Sequence, residues 1–138
     1  MTIVVDASIC AGWFLPDEQT EAATQIGRQV ATEGARVPDL YWHEMRNLLV
    51  LAMRRGRLPE DMLLLQLAKL EKLPIRSAGA GDTVQVTQLA VKHGLTAYDA
   101  AYLALTISEH LPLATFDKAL RRAALAEGVI VLPAELPI

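Results

Sequence analysis

Ile3-Val4-Val5-Asp6-Ala7-Ser8 opens the chain with three β-branched apolar residues that run into an acid, and Leu113-Ala114-Thr115-Phe116-Asp117 repeats the arrangement near the other end. Val129-Ile130-Val131-Leu132, stopped by Pro133, is a third such run, while Arg36-Val37 before Pro38 and Ile75-Arg76 after Pro74 are weaker ones. Each is short enough to be a strand. Segments of helical period lie between them, at 7–14, 18–33, 39–55, 59–73, 81–93, 97–110 and 118–127. Their punctuation is consistent: Gly34, Gly56, Gly94 and Gly128 stand at carboxyl ends, and Pro59 sits in a first turn, where its missing N–H costs nothing. Strands alternating with helices, with no hairpin signal, predict βαβ crossovers and a parallel sheet covered on both faces. The fold class is therefore α/β, in three α/β/α layers.

No linker, repeat or low-complexity tract interrupts the pattern, so one domain over 1–138 is expected. A chain of 138 residues, 52% of them hydrophobic, buries roughly two-thirds of its surface and needs no staple. Its single cysteine, Cys10, excludes an internal disulfide and reads as a small buried hydrophobe in the first helix. Asp6 interrupts the first apolar run too early for a secretory leader, and no stretch approaches the ~20 apolar residues of a membrane span. A cytoplasmic location with no membrane partner is expected. The net charge of -3 argues at first sight against a nucleic-acid partner. Setting aside four acids as metal ligands would leave twelve acids against thirteen bases, so the placement of charge decides, not its sum.

Four acids stand out. Asp6 and Asp117 each follow an apolar strand at its carboxyl end, the edge at which open α/β sheets bind ligands. An Asp between strand and helix is also a preferred N-cap, and both readings stay open. Asp99 has the same ambiguity, because Thr96-Ala97-Tyr98-Asp99 fits a capping box. Glu44 is harder to explain structurally. It falls in the stripe Leu40, Glu44, Asn47, Leu48, Leu51 and has no helical salt-bridge partner. A charge turned inward without a partner is costly unless a cation or hydrogen bonds compensate. Were the four to converge, their repulsion would raise their pKa values, and a divalent ion would relieve it. Ligation by oxygen alone suits Mg²⁺ or Mn²⁺ rather than zinc.

The residues around these acids resemble the motifs of PIN domains. Val4-Val5-Asp6-Ala7-Ser8 resembles the family's opening, and Pro38-Asp39-Leu40-Tyr41-Trp42-His43-Glu44-Met45-Arg46-Asn47 its second motif. Thr96-Ala97-Tyr98-Asp99-Ala100-Ala101-Tyr102 and Leu113-Ala114-Thr115-Phe116-Asp117 look like the third and fourth. Four motifs in order, over positions 4 to 117, are similar to VapC toxins of type II toxin–antitoxin systems; the stretch before Gly81 matches least. The resemblance implies a five-stranded parallel sheet in the order 3-2-1-4-5. It also implies an RNA substrate, a homodimer, a cognate VapB-like antitoxin that blocks the site, and with it a higher assembly.

On that reading Asp6, Asp99 and Asp117 hold Mg²⁺ or Mn²⁺, directly or through water, and Glu44 completes the shell or recruits a second ion. Metal-assisted hydrolysis leaves a 5′-phosphate and a 3′-hydroxyl. A metal-free cut through the RNA 2′-hydroxyl would need a paired acid and base, usually histidines. His43 stands about 100° around its helix from Glu44, and His93 and His110 lie at helix ends, so all three read as surface or capping residues. Ser8 and Thr115 are candidates to orient ligands, and Asn47 to steady Glu44. Arg46, Arg54, Arg55, Arg57, Lys118, Arg121 and Arg122 are candidate phosphate contacts, or simply a solvated face. Met62-Leu63-Leu64-Leu65-Gln66-Leu67 is apolar around too much of its helix for one sheet, which suggests core plus a dimer or antitoxin surface. Trp13, Phe14 and Trp42 are antitoxin anchors or core. A receiver domain of phosphorelay signalling would need a second acid after the first strand and a Lys after the last, which this chain lacks. A phosphatase with an Asp nucleophile would need a second Asp where Ser8 stands. A catalytically silent PIN module is opposed by the four intact acids.

Overall fold

The computed structural model describes residues 1–136, so the last two positions of the expected unit lie outside the described residues. Along the chain run β1 (Ile3–Val5), α1 (Ala7–Phe14), α2 (Glu21–Glu33), β2 (Ala35–Val37), α3 (Leu40–Arg54), α4 (Glu60–Lys72), β3 (Ile75–Ser77), α5 (Thr83–His93), α6 (Ala97–Glu109), β4 (Leu113–Ala114), α7 (Lys118–Ala126) and β5 (Val131–Leu132). All strands pair in parallel, in the order β3-β2-β1-β4-β5, as the motifs implied. β1 is central, wholly buried, and held between Ala35 and Arg36 on one side and Leu113 and Ala114 on the other.

The strand order explains the layers. Right-handed crossovers carry the chain outward from β1 to β3 over one face, then back past β1 to β4 and β5 over the other. Accordingly α1 packs on α2 and α3, and α3 on α4, whereas α5 and α7 pack on α6. α6 also lies against β1 and β4. Its residues 100–106 are all buried, so it is apolar all round and acts as the core of its layer. Among the described residues no helix is long and apolar enough to cross a membrane.

Several local expectations shift. The helix expected from residue 18 begins at Glu21: Pro16 starts a separate 3-10 turn over Pro16–Glu18, and the Thr20 hydroxyl caps α2 by accepting from the Ala23 N–H. The run 113–116 pairs as strand only at Leu113–Ala114: past it Thr115 keeps one backbone bond to the Leu132 carbonyl, while its hydroxyl turns to Asp6 and the Phe116 N–H to Ser8. β5 likewise narrows to Val131–Leu132. In α3 the face against the core is Tyr41, Met45, Leu49 and Ala52, one position round from the expected stripe. Aromatic Tyr41 and flexible Met45 fill the depth, which leaves Glu44 and Leu48 half-buried on the flank. Cys10 is buried as expected and accepts a hydrogen bond from the Tyr41 hydroxyl at 3.1 Å.

Where α1 crosses α2 the backbones approach closely at Gly12. A Cβ there would stand 2.7 Å from Ala23 Cβ and 3.1 Å from the Glu18 carbonyl. Gly12→Ala therefore forces the two helices apart, with an expected loss of about 1–3 kcal/mol, read as a lower urea midpoint at unchanged slope.

Candidate carboxylate site at the carboxyl edge of the sheet

Asp6 follows β1 directly and N-caps α1. Its Oδ1 accepts from the Ile9 N–H at 3.2 Å and from the Ser8 hydroxyl at 2.7 Å, and its Oδ2 accepts from the Thr115 hydroxyl at 2.5 Å. Thr115 is wholly buried just past β4. Its oxygen also accepts from the Asp117 N–H at 3.0 Å, and Ser8 Oγ accepts from the Phe116 N–H at 2.9 Å. Ser8 and Thr115, expected to orient ligands, thus fix Asp6 and tie the ends of β1 and β4 together.

The other three acids come from helices. Asp117 N-caps α7, accepting from the Leu120 N–H at 2.9 Å, with the rest of its side chain exposed. Asp99 lies in the first turn of α6, which Thr96 caps by accepting from the Asp99 N–H at 3.1 Å. Glu44 stands one turn into α3, and its Oε1 accepts from the Tyr102 hydroxyl at 2.6 Å. Tyr102 is buried in α6, on the same face as Asp99 and one turn further on. The capping expectations for Asp6 and Asp117 and the site expectation are not rivals here. Capping is what aims each carboxylate at the sheet edge.

Electrostatics couple the four. Burial pushes the Asp6 carboxyl up to about 6 against three hydrogen bonds that pull it down, and the charge of Asp99 adds to the rise. Burial raises Glu44, the Tyr102 hydroxyl partly offsets that, and Asp99 raises it again. Asp99 itself is raised by burial and then by Asp117, with Thr96 opposing. Asp99 is therefore within Coulombic reach of each of the others. Three of them sit at the amino ends of α1, α6 and α7, whose aligned peptide dipoles favour anions there.

The donor set is oxygen-only, crowded and partly desolvated, which fits a hard divalent cation. Among the described residues no three acidic, histidine or cysteine side chains stand close enough to grip one ion together.

The basic residues divide. Arg46, Arg54, Arg55, Arg122 and Lys118 are exposed. Arg121, expected among the RNA-facing cations, is buried instead: its guanidinium donates to the carbonyls of Thr115 at 2.9 Å and Pro133 at 2.7 Å, latching the segment after β5. Arg57 is committed to Asp17 and Glu18. Asn47 is exposed and, among the described residues, makes no hydrogen bond to Glu44. Of the histidines, His43 contacts Arg46, His93 pairs with Glu127, and His110 caps α6 in a left-handed conformation. None of them bonds to the four acids. Phe14 is core, Trp13 donates to the Ala23 carbonyl at 2.7 Å, and Trp42 meets Tyr41 edge to face. The residue that sequence reasoning undervalued is Tyr102. Its place on the Asp99 face was readable, but its bond to Glu44, across 58 residues, was not.

The PIN domain family pattern matches residues 3–125. The chain is 36% identical over 124 residues to Ribonuclease VapC3 of Pyrobaculum aerophilum, covering 87% of this chain and 92% of that one. In solved structures it is similar to PAE2754 from Pyrobaculum aerophilum, with a TM-score of 0.73 at 25% identity over 96% of this chain and 90% of that chain. It shares its fold with a chain of VapBC2 from Rickettsia felis, solved bound to a promoter DNA fragment, with a TM-score of 0.65 at 16% identity over 95% and 97% of the two chains.

Asp6 gives a pH signature to the metal-free protein. Its folded pKa of about 6 lies above the ordinary 3.8, so between those values the native state binds more protons than the unfolded chain. Stability contributed by this group is present at low pH and is lost as pH rises through about 6. Unfolding free energies from urea titrations in chelator should fall between pH 4 and 7, by about 3 kcal/mol at most for two pKa units, and Asp6→Asn should flatten that fall.

Proposed function

Because the chain belongs to the PIN domain family, we propose that it acts as a metal-dependent endoribonuclease of the VapC toxin type, a single domain over 1–138 restrained by a cognate VapB-like antitoxin. The observation that carries this reading is the electrostatic coupling of Asp6, Glu44 and Asp117 through Asp99 at the carboxyl edge of the sheet. RNA as substrate is supported by the name of the 36% identical relative.

Asp6, Asp99 and Asp117 would hold Mg²⁺ or Mn²⁺, in part through water, with Glu44 completing the set. When bound, the ion supplies Lewis acidity toward the phosphate and a more acidic water. The chain's own residues do the rest. Ser8, Thr115 and the Ile9 N–H keep the buried Asp6 oriented, and Tyr102 holds one Glu44 oxygen so that the other stays available. The amino ends of α1, α6 and α7 draw the anionic backbone toward the acids, which would otherwise repel it. Hydrolysis in this setting leaves a 5′-phosphate and a 3′-hydroxyl.

The partner reading has its own support. Leu64 and Leu65 are exposed on α4. Nearby, a groove of about 420 Å³ is lined by Trp13, Leu15, Arg28 and Gln66. Gln66 Oε1 is buried and meets no donor among the described residues, as an antitoxin peptide with an N–H to give would remedy. A homodimer, a higher toxin–antitoxin assembly and a cytoplasmic setting belong to the same reading.

Purified chain incubated with single-stranded RNA and Mn²⁺ should cut it, stop on addition of chelator, and leave ends that map as 5′-phosphates. Asp6→Asn, Glu44→Gln, Asp99→Asn and Asp117→Asn should each lose a hundredfold or more while keeping native circular dichroism. A wild-type chain inert toward RNA with either ion would sink the reading. Tyr102→Phe, which removes one oxygen and no packing, should weaken Mn²⁺ binding by about tenfold or more, read as a smaller Mn²⁺-induced rise in melting temperature.

A further inference from the structure

A groove of about 370 Å³ runs from Glu44 along α3, and apart from Glu44 the mechanism above uses none of its residues. Glu44, Asn47, Leu48, Leu51 and Arg55 line it from α3 and its end, together with Ala7 from the start of α1 and the ion-paired Glu18 and Arg57. The five α3 positions recur at three- and four-residue spacing, so they form one ridge along the helix. From Glu44 to Arg55 that ridge is about 16 Å long. It grades from an acid of the carboxylate site, through an amide and two leucines, to a cation.

Each member is available for a ligand. Arg55 is exposed and makes no ion pair among the described residues. Its neighbour Arg57, on the same groove, is neutralised by Asp17 at 2.8 Å and Glu18 at 3.1 Å, so the cation left for an incoming phosphate is Arg55. Asn47 is exposed, and its amide makes no hydrogen bond among the described residues. Leu48 and Leu51 are half-buried, and so present an apolar surface that water still reaches.

We propose that this groove is the subsite for one unpaired nucleotide flanking the scissile phosphate, an inference that rests on the nuclease reading. The base lies against Leu48 and Leu51, its edge pairs with the Asn47 amide, and the neighbouring phosphate meets Arg55. An amide offers a donor beside an acceptor, so it selects a base edge with the complementary pair, as adenine has. Only an unstacked base exposes both its face and that edge, which restricts the subsite to single strands. Asn47 is thereby a specificity-determining residue and Arg55 a sequence-neutral clamp.

The test is cleavage of a random-sequence single-stranded RNA pool in Mn²⁺, with sequencing of the ends, by wild type, Asn47→Ala and Arg55→Ala. Both variants alter exposed side chains, and matched melting temperatures will verify that they fold. The wild type should show a base preference at one position close to the cut. Asn47→Ala should lower that preference by about tenfold and leave other positions alone. Arg55→Ala should keep the preference, cut all sequences more slowly, and show a shallower salt dependence, by a slope of about 0.7 for one lost phosphate contact. A wild type that cuts without positional preference, or an Asn47→Ala variant whose preferences are unchanged or weakened at every position alike, would overturn the subsite while leaving the nuclease reading intact. Absence of any cleavage by the wild type overturns both.

Discussion

Asp6 is a carboxylate placed inside the protein at the end of the central strand, and three donors converge on it, two from the first turn of α1 and one from just past β4. Those bonds join β1 to β4, begin α1 and fix where the chain turns into α7. They do not win the electrostatic contest, since burial still lifts the group to about 6. The fold thus holds an ionisable group in a place that disfavours its charge, and the surrounding hydroxyls reduce that penalty without abolishing it. Residual destabilisation of this kind is common where a site must bind a cation, because the cation removes the penalty that the empty site carries.

The second constraint is geometric. Helices that follow strands begin at the carboxyl edge, so their amino ends and their caps collect there. Asp6 and Asp117 are caps, and Asp99 lies in the first turn of a third helix. Glu44 comes from the opposite layer, and Tyr102, buried in α6, donates to it across the sheet edge. That single bond joins the two helical layers over the sheet edge. It also decides which way the Glu44 carboxylate turns.

The fold was legible because each local signal agreed with the global one. Unbroken apolar runs gave buried parallel strands, and glycines at the ends of helical periods gave their stops. What slipped were places where one residue answers to two demands. Thr115 reads as strand by composition, yet its hydroxyl serves Asp6 and Asp117, and the strand ends before it. Arg121 reads as a surface cation beside Arg122, yet backbone carbonyls at the end of β5 draw its guanidinium inward. Glu44 reads as inward because leucines share its side, yet the larger Tyr41 and Met45 take the core face and turn it to the flank.

By itself the sequence determined the layer architecture and the strand and helix inventory to within a few residues, and it singled out four acidic positions as candidates, since these depend on periodicity and on local chain chemistry. Only the tertiary structure decided that the acids share one electrostatic environment, which hydroxyls orient them, and which arginines stay outside. Those are contacts across 58, 107 or 109 residues, and no local pattern encodes a partner that distant, because hydrogen bonds and desolvation depend on where the sheet order brings chain segments, not on their spacing along the chain.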